Sequence, residues 1–334
     1  PGRRRARKNL EEWRDCKLQN TATIRLRAER RQHLRSTLRQ AAKSWQIYLM
    51  MLPALVILFL FAYKPMYGII IAFKKYDFIS GINGSPWVGF ANFKSLFTSY
   101  WFPVIMKNTL TISLLSLVMG FPFPIIFALM LNEVRNAKVK QIVQTVSYAP
   151  HFISTVVICG MIIMFLNPTS GIINLALQAL GHKAVQFMGI PEAFKWIYVI
   201  SGIWQGTGWG AIIYFAALSG VDSALLEAAE IDGASRFQKI IYINFPVLVP
   251  TILIMFILNC GSLLNVGYEK VYALQNSSNQ MGSEVISTYV YRMGLVNKDF
   301  SFSTAAGLFN SVVNSAILLV SNWVSNRAAK VSLF

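Results

Sequence analysis

Six stretches of mostly apolar residues, near 46–73, 109–131, 146–166, 196–218, 247–266 and 304–324, constrain this chain more than any other feature. A helix crossing a bilayer needs roughly 20 such residues. Hydrocarbon offers no water to the backbone, so every N–H and C=O must be satisfied within the protein, which a helix does by itself. The expected fold is therefore an all-α membrane protein with six transmembrane helices. Composition agrees: 54% of the residues are hydrophobic and 13% charged, where soluble domains carry about a quarter charged. The first stretch holds Pro53, Lys64 and Pro65. Proline is tolerated in membrane helices, and a lysine near a helix end can snorkel to the interface.

Charge sets the expected orientation. Of 31 Lys and Arg, 14 precede residue 45, against four acids there. A basic flank before the first span stays on the cytoplasmic side, and six spans return the C-terminus to it. The remaining loops do not add to this: seven Lys or Arg fall on the cytoplasmic side and ten outside, including Lys64. The chain reads as a basic cytoplasmic segment 1–44, a membrane domain 45–326 and a cytoplasmic tail 327–334. The basic region is too long for a cleavable signal peptide, and the apolar stretch after it is long enough to span. A net charge of +17 invites a nucleic-acid reading. Yet the run "RLRAERRQHLRSTLRQ" lacks interleaved aromatics for base stacking, and a helix near anionic headgroups accounts for it. No nucleic-acid partner is expected.

Chemistry-bearing motifs are few. Cys16, Cys159 and Cys260 and the three His have no metal or redox spacing, so no metal site is expected. The chain has no G-x-x-x-x-G-K-[ST] phosphate loop and no G-x-S-x-G elbow. The spans after the first hold almost no acids or His, which leaves a membrane-embedded enzyme without its acid–base groups. In the external segment 167–195, Ile172, Leu175, Ala176 and Ala179 share one helical face. That face suits either the membrane interface or packing on neighbouring spans.

The stretch "EAAEIDGASRFQKIIYINFPVLVP" (227–250) interrupts the apolar pattern with three carboxylates, a Gly and two Pro. Asp222 is a good N-cap for a run over 223–231. Gly233 permits a positive φ, a second run covers 234–243, and Pro246 and Pro250 mark the entry to the next span. Helix, Gly turn, helix with small residues and an acidic rim reads as a docking element or as an ordinary amphipathic loop. The residues Glu227-Ala228-Ala229, Asp232-Gly233-Ala234 and Ile243-x-Phe245-Pro246, within loop 219–246, resemble the EAA loop of type I ABC importer permeases. The family often has Leu where Phe245 stands. "WVGFANFKSLF" (87–97), "KNTLTIS" (107–113), "VGYEKVYALQNSSNQMGSEVISTYVYRMGL" (266–295), "FSFSTAAGLFNSVVN" (300–314) and the terminal "SLF" resemble the polysaccharide-type, LplB-like branch.

This resemblance implies a transport subunit, not an enzyme, with the type I permease fold, in the bacterial cytoplasmic membrane. Implied partners are a second permease, by the branch a paralogue, two cytoplasmic ATPases that bind ATP and Mg, and an external solute-binding protein. The chain itself then needs no cofactor. Glu227, Ala228, Ala229, Asp232, Gly233 and Pro246 would couple ATPase closure to the spans. The implied cargo is an oligosaccharide or polysaccharide fragment; the alternative is a non-carbohydrate solute such as a peptide or lipid-linked ligand. Amides suit sugar hydroxyls and an aromatic plane suits apolar ring faces. Similarity to the maltose-transporter membrane subunit points to Gln205, Trp209, Asn259 and Ser262, with Tyr148 and Tyr214 weaker. The same side chains could serve helix–helix hydrogen bonding.

Overall fold

A computed structural model describes residues 43–329. Most of the basic segment and the last five residues lie outside the described part. Two compact units divide the chain, Pro1–Tyr67 and Gly68–Phe334. Regular structure in the described residues is helical, apart from one isolated bridge, Lys74 with Trp87. The elements used below are α1 (Trp45–Phe73), α2 (Trp101–Asn132), α3 (Ala137–Phe152), α4 (Thr155–Phe165), α5 (Pro191–Leu218), α6 (Ser223–Ile231), α7 (Arg236–Gly261), α8 (Tyr268–Leu274) and α9 (Phe300–Ala329).

Helices α1, α2, α7 and α9 are each long and apolar enough to cross a membrane; α3 with α4 and α5 with α6 qualify as bent pairs. The six expected spans are thus all represented, but the third differs in shape. The stretch 146–166 is not one rod: α3 starts nine residues earlier, at Ala137, capped by Asn136, and meets α4 at 98°. The cause is local. Pro150 tightens the end of α3 into a 3-10 turn, and Ser154, in extended backbone, caps α4 by accepting from Val157 N–H at 3.4 Å. The fifth span also differs. Rather than a separate run followed by a proline-marked entry, α7 is continuous from Arg236 and carries both Pro246 and Pro250.

Proline explains a second regularity. A π turn occupies Phe59–Tyr63, Ser116–Gly120 and Ile240–Asn244. Pro65, Pro122 and Pro246 follow them. In each case the carbonyl four residues before the proline belongs to the middle residue of the turn: Phe61, Val118 and Tyr242. A proline supplies no N–H to that carbonyl and its ring crowds it, and widening by one residue relieves both problems without ending the helix.

The packing that positions the site lies in Gly68–Phe334. Ile125, Ala128 and Leu129 of α2 pack with Ala211, Tyr214 and Leu218 of α5 and Leu248 of α7. Ile112, Cys159, Phe194, Val271 and Leu274 tie α2, α4, α5 and α8 together. Where α5 crosses α3 the backbones nearly touch: a Cβ on Gly208 would collide with the carbonyl oxygen of Ser147. The helix Ile172–Ala179 is held by Asn174, whose amide donates to the carbonyls of Leu166, Asn167 and Val185. Its Ile172, Leu175, Ala176 and Ala179 face is exposed, as an interfacial helix requires.

Candidate functional site

The loop between α5 and α7 is a rigid corner. Asp222 caps α6, its carboxylate accepting from Ala224 N–H at 2.9 Å. The helix ends in a Schellman arrangement: Gly233 N–H donates to Glu230 O at 3.1 Å and Ala234 N–H to Ala229 O at 2.9 Å. Gly233 has φ +78°, the left-handed conformation that the motif demands of its terminal residue. Ser235 and Gln238 then form a reciprocal capping box that opens α7. The turn is therefore fixed by the backbone bonds at Gly233 and by the side-chain caps of Asp222, Ser235 and Gln238.

Across that turn Lys239 Nζ donates to Glu230 Oε1 at 2.5 Å. The Lys239 side chain is 10% exposed and that of Glu230 54%. Lys239 holds the Glu230 carboxyl below its ordinary value, first by hydrogen bond and then by charge. One turn further along α7, buried Asn244 donates to Glu133 Oε1 at the end of α2, 3.2 Å away. The corner is thus tied both to itself and to a second span.

The sequence-expected coupling residues sit on the outside of this corner. Glu227, Ala228, Asp232, Gly233 and Pro246 are exposed and Ala229 is half-buried. Glu227 makes no hydrogen bond or ion pair among the described residues. Leu225, Ile231, Phe237 and Tyr242 are exposed apolar side chains of the same corner. A free carboxylate among exposed apolar side chains is what a docking surface offers to a partner.

A cavity of about 440 Å3 opens between α2, α5 and α7. Asn259 and Ser262 line it; Gln205 and Trp209 are not among its lining residues. Trp209 instead stacks its indole on the imidazole of His151, centroids 4.4 Å apart, with Phe152 edge-on at 5.7 Å. Tyr214 lines the cavity, and Tyr148 does not. Ser113, Ser116, Thr207, Tyr198 and Asn265 complete the polar wall. Gly202, Gly206 and Gly210 line it from α5, Gly206 with open space where a Cβ would lie, and Ser116, Leu117 and Gly120 line it from the π turn of α2. That four-residue glycine spacing was the readable signal for the lining; nothing in the pattern of single residues flagged Ser116 or Asn265.

Hydrogen bonding already spends some of these groups. Asn259 Nδ2 donates to Met255 O at 2.7 Å and Thr207 Oγ1 to Ile203 O at 2.6 Å, so each offers acceptor oxygen to the cavity. Tyr198 OH accepts from Gly267 N–H at 3.1 Å and keeps its own proton to give. A wall of mixed donors and acceptors suits a polyhydroxylated solute. Beside Tyr198, buried Lys270 donates to the Tyr198 carbonyl at 3.3 Å, with Nζ 5.0 Å from the ring centroid. Burial pushes its ammonium down to about 8.

Residues 120–330 match the family described as binding-protein-dependent transport system inner membrane component. Over 288 residues the chain is 39% identical to protein LplB of Bacillus subtilis (strain 168), covering 86% of this chain and 91% of the relative. It is 40% identical to the polygalacturonan/rhamnogalacturonan transport system permease protein YteP of the same organism, covering 86% and 90%. Among solved structures it resembles a chain of a bacterial alginate ABC transporter in complex with an alginate pentasaccharide-bound periplasmic protein. That match has TM-score 0.81 and 41% identity, over 88% of this chain and 99% of the other. With the helix–glycine–helix corner and the polar cavity beside it, these likenesses establish that the chain belongs to the family of binding-protein-dependent inner-membrane transport components.

Proposed function

We propose that the chain is the permease subunit of an ABC importer that takes up oligosaccharides or polysaccharide fragments delivered by a solute-binding protein. The observation that carries this is the position of the corner: the two helices that end in it, α5 and α7, also wall the polar cavity. A partner that moves α6 therefore moves the walls of a solute site. Alternating access is then a two-state equilibrium that ligands bias from either side.

In this reading Glu227, Ala228, Ala229, Asp232, Gly233 and Pro246 form the coupling surface for a cytoplasmic ATPase, and Asn259 and Ser262 contact the cargo. Gln205 and Trp209 support the wall from the neighbouring face of α5. Two ATPase subunits bind ATP and Mg, and a second permease, a paralogue, completes the pathway. Both termini face the cytoplasm, as the basic segment requires. The membrane domain runs over 45–326, with the basic segment 1–44 and the tail 327–334 outside it. Acidic saccharides are the favoured cargo, from the pectin- and alginate-type cargo in the names of the similar proteins.

The test is ATPase activity of the purified four-part complex in lipid, across oligogalacturonides, alginate oligosaccharides and neutral maltotriose. Stimulation by one saccharide class, lost in Glu227→Lys, is expected. An intact complex that responds to none of them would overturn the saccharide reading.

A further inference from the structure

One lining residue of the cavity has its orientation fixed by the sixth span. Asn265 Oδ1 accepts from Asn310 Nδ2 at 2.8 Å and from Asn314 Nδ2 at 3.1 Å, both on α9. The direction of these bonds follows from the backbone. Leu264 N–H, which can only donate, gives its proton to Asn314 Oδ1 at 2.9 Å. Asn314 must therefore turn its NH2 toward Asn265, and Asn265 must answer with its oxygen. Asn314 is buried and so is its bond from Leu264 N–H, which pins the Asn314 amide; Asn265 itself is exposed. The Asn265 amide is left with one free edge, its NH2, which donates to nothing among the described residues, and the residue lines the cavity.

We propose that Asn265 is a specificity-determining residue of the cavity. Its NH2 is a fixed donor to a hydroxyl or carboxylate oxygen of the saccharide, and Asn310 and Asn314 are the positioning residues that aim it. The chemistry of the neighbours supports this. Asn259 and Thr207 present acceptor oxygens; Thr207 gives its one donor to a helix carbonyl and Asn259 gives one of its two. Asn265 supplies a donor in the segment that follows the end of α7, just past Asn259 and Ser262. A buried Asn310 Oδ1 has no partner, an uncompensated cost that a purely structural asparagine cluster would not need. The arrangement also links the cargo to α9: a sugar oxygen pulling on the Asn265 NH2 pulls through it on two residues of the sixth span. This inference rests on the saccharide-import reading.

Asn265→Asp tests it cleanly. Aspartate keeps an oxygen for both Asn310 and Asn314, so the clamp survives, and only the free donor becomes an acceptor. In the assembled complex in proteoliposomes, saccharide uptake and ATP hydrolysis are measured together, with a uronate trisaccharide and maltotriose as probes. The expected result in Asn265→Asp is uptake per ATP about 10-fold lower for the uronate probe, the loss of a donor plus like-charge repulsion. Because uptake is read per ATP hydrolysed, a change in hydrolysis does not by itself count for or against the inference. Asn314→Leu, which frees the amide, lowers uptake per ATP in the same direction with Asn265 itself unchanged. Unchanged uptake per ATP in Asn265→Asp overturns the inference, and so does a parallel fall in uptake and hydrolysis, which marks a structural role. A wild-type complex that imports neither probe nor any other saccharide overturns the transport reading, and this inference with it.

Discussion

Lys239 and Glu230 join the two arms of the α6–α7 corner across Gly233, with Nζ 2.5 Å from Oε1 and the lysine buried. The bond lies between α6, whose outer face is exposed, and the first turn of the span α7, so it sets the angle at which a push on one reaches the other. Lys239→Met should lower uptake several-fold with normal amounts of protein in the membrane. Equal uptake would show the brace to be dispensable. The pH dependence follows from Glu230. Its carboxyl is held below the ordinary value, so the brace is complete above about 4.3 and is lost as pH falls through the lowered folded value. Hydrogen exchange at the Gly233 and Ala234 amides, corrected for intrinsic rate, should accelerate below that pH and be insensitive to it in Glu230→Gln.

Gly233 has φ +78° and open space where a Cβ would lie. The cost of replacing it is therefore conformational and not steric, about 1–2 kcal/mol for an ordinary L-residue. Asn tolerates the left-handed region better than most residues. Gly233→Asn should keep most of the uptake and Gly233→Val should lose it. If the two variants behave alike, the backbone conformation is not what the position requires.

Glu227 differs from Glu230 in having no partner among the described residues, so its replacement has no fold to disturb. Glu227→Lys should leave thermal stability within about 0.5 kcal/mol, as exposed substitutions do, and abolish uptake and ATPase stimulation. A destabilised variant would place Glu227 in the internal bracing instead.

The legible part of this fold is the part that lipid dictates. Hydrophobic length pointed to the four helices and two bent pairs that are long and apolar enough to span, and the helix–glycine–helix corner followed from Asp222 and Gly233, whose roles are local. What was not legible depends on two distant segments meeting. Pro150 and Pro246 look alike in sequence, yet one ends in a 98° bend and the other is absorbed by a π turn. The difference lies in the Ser154 cap after the first and unbroken helix after the second. The Glu230–Lys239 brace was missed because nine residues and a turn separate its ends. Trp209 was expected at the sugar from its aromatic plane, its helix face and the similarity to the maltose-transporter subunit; what the sequence did not show is that its ring stacks on His151.

Gly208 lets α5 and α3 come into backbone contact, since a Cβ there would meet the Ser147 carbonyl oxygen and carbon. Backbone cannot move aside as a side-chain end can, so Gly208→Ala should cost about 1–3 kcal/mol. Gly206, two residues away, has nothing within 4 Å of such a Cβ. Gly206→Ala should leave the melting temperature in detergent unchanged. Equal melting of both variants would mean that α3 shifts freely against α5.

Lys270 stands on α8, its ammonium buried against Tyr198, donating to the Tyr198 carbonyl, with no carboxylate in bonding distance among the described residues. Burial lowers its value from 10.5 to about 8, so the charged form is disfavoured in the folded chain by about 3 kcal/mol. The sign is that of a base with a depressed value. The penalty is complete below pH about 8 and relieved between there and 10.5, where the folded chain gives up the proton before the unfolded one does. Lys270→Met should therefore raise the melting temperature at pH 7 and flatten the rise in stability that the wild type shows from pH 8 to 10. Because Gly202 and Tyr198 separate the ammonium from the cavity, the same variant should also weaken uptake of acidic saccharides more than of neutral ones. Unfolding measured against pH in both proteins checks the first part, and uptake of the two probe classes checks the second. A less stable Lys270→Met would show that its hydrogen bond to Tyr198 outweighs the cost of the buried charge.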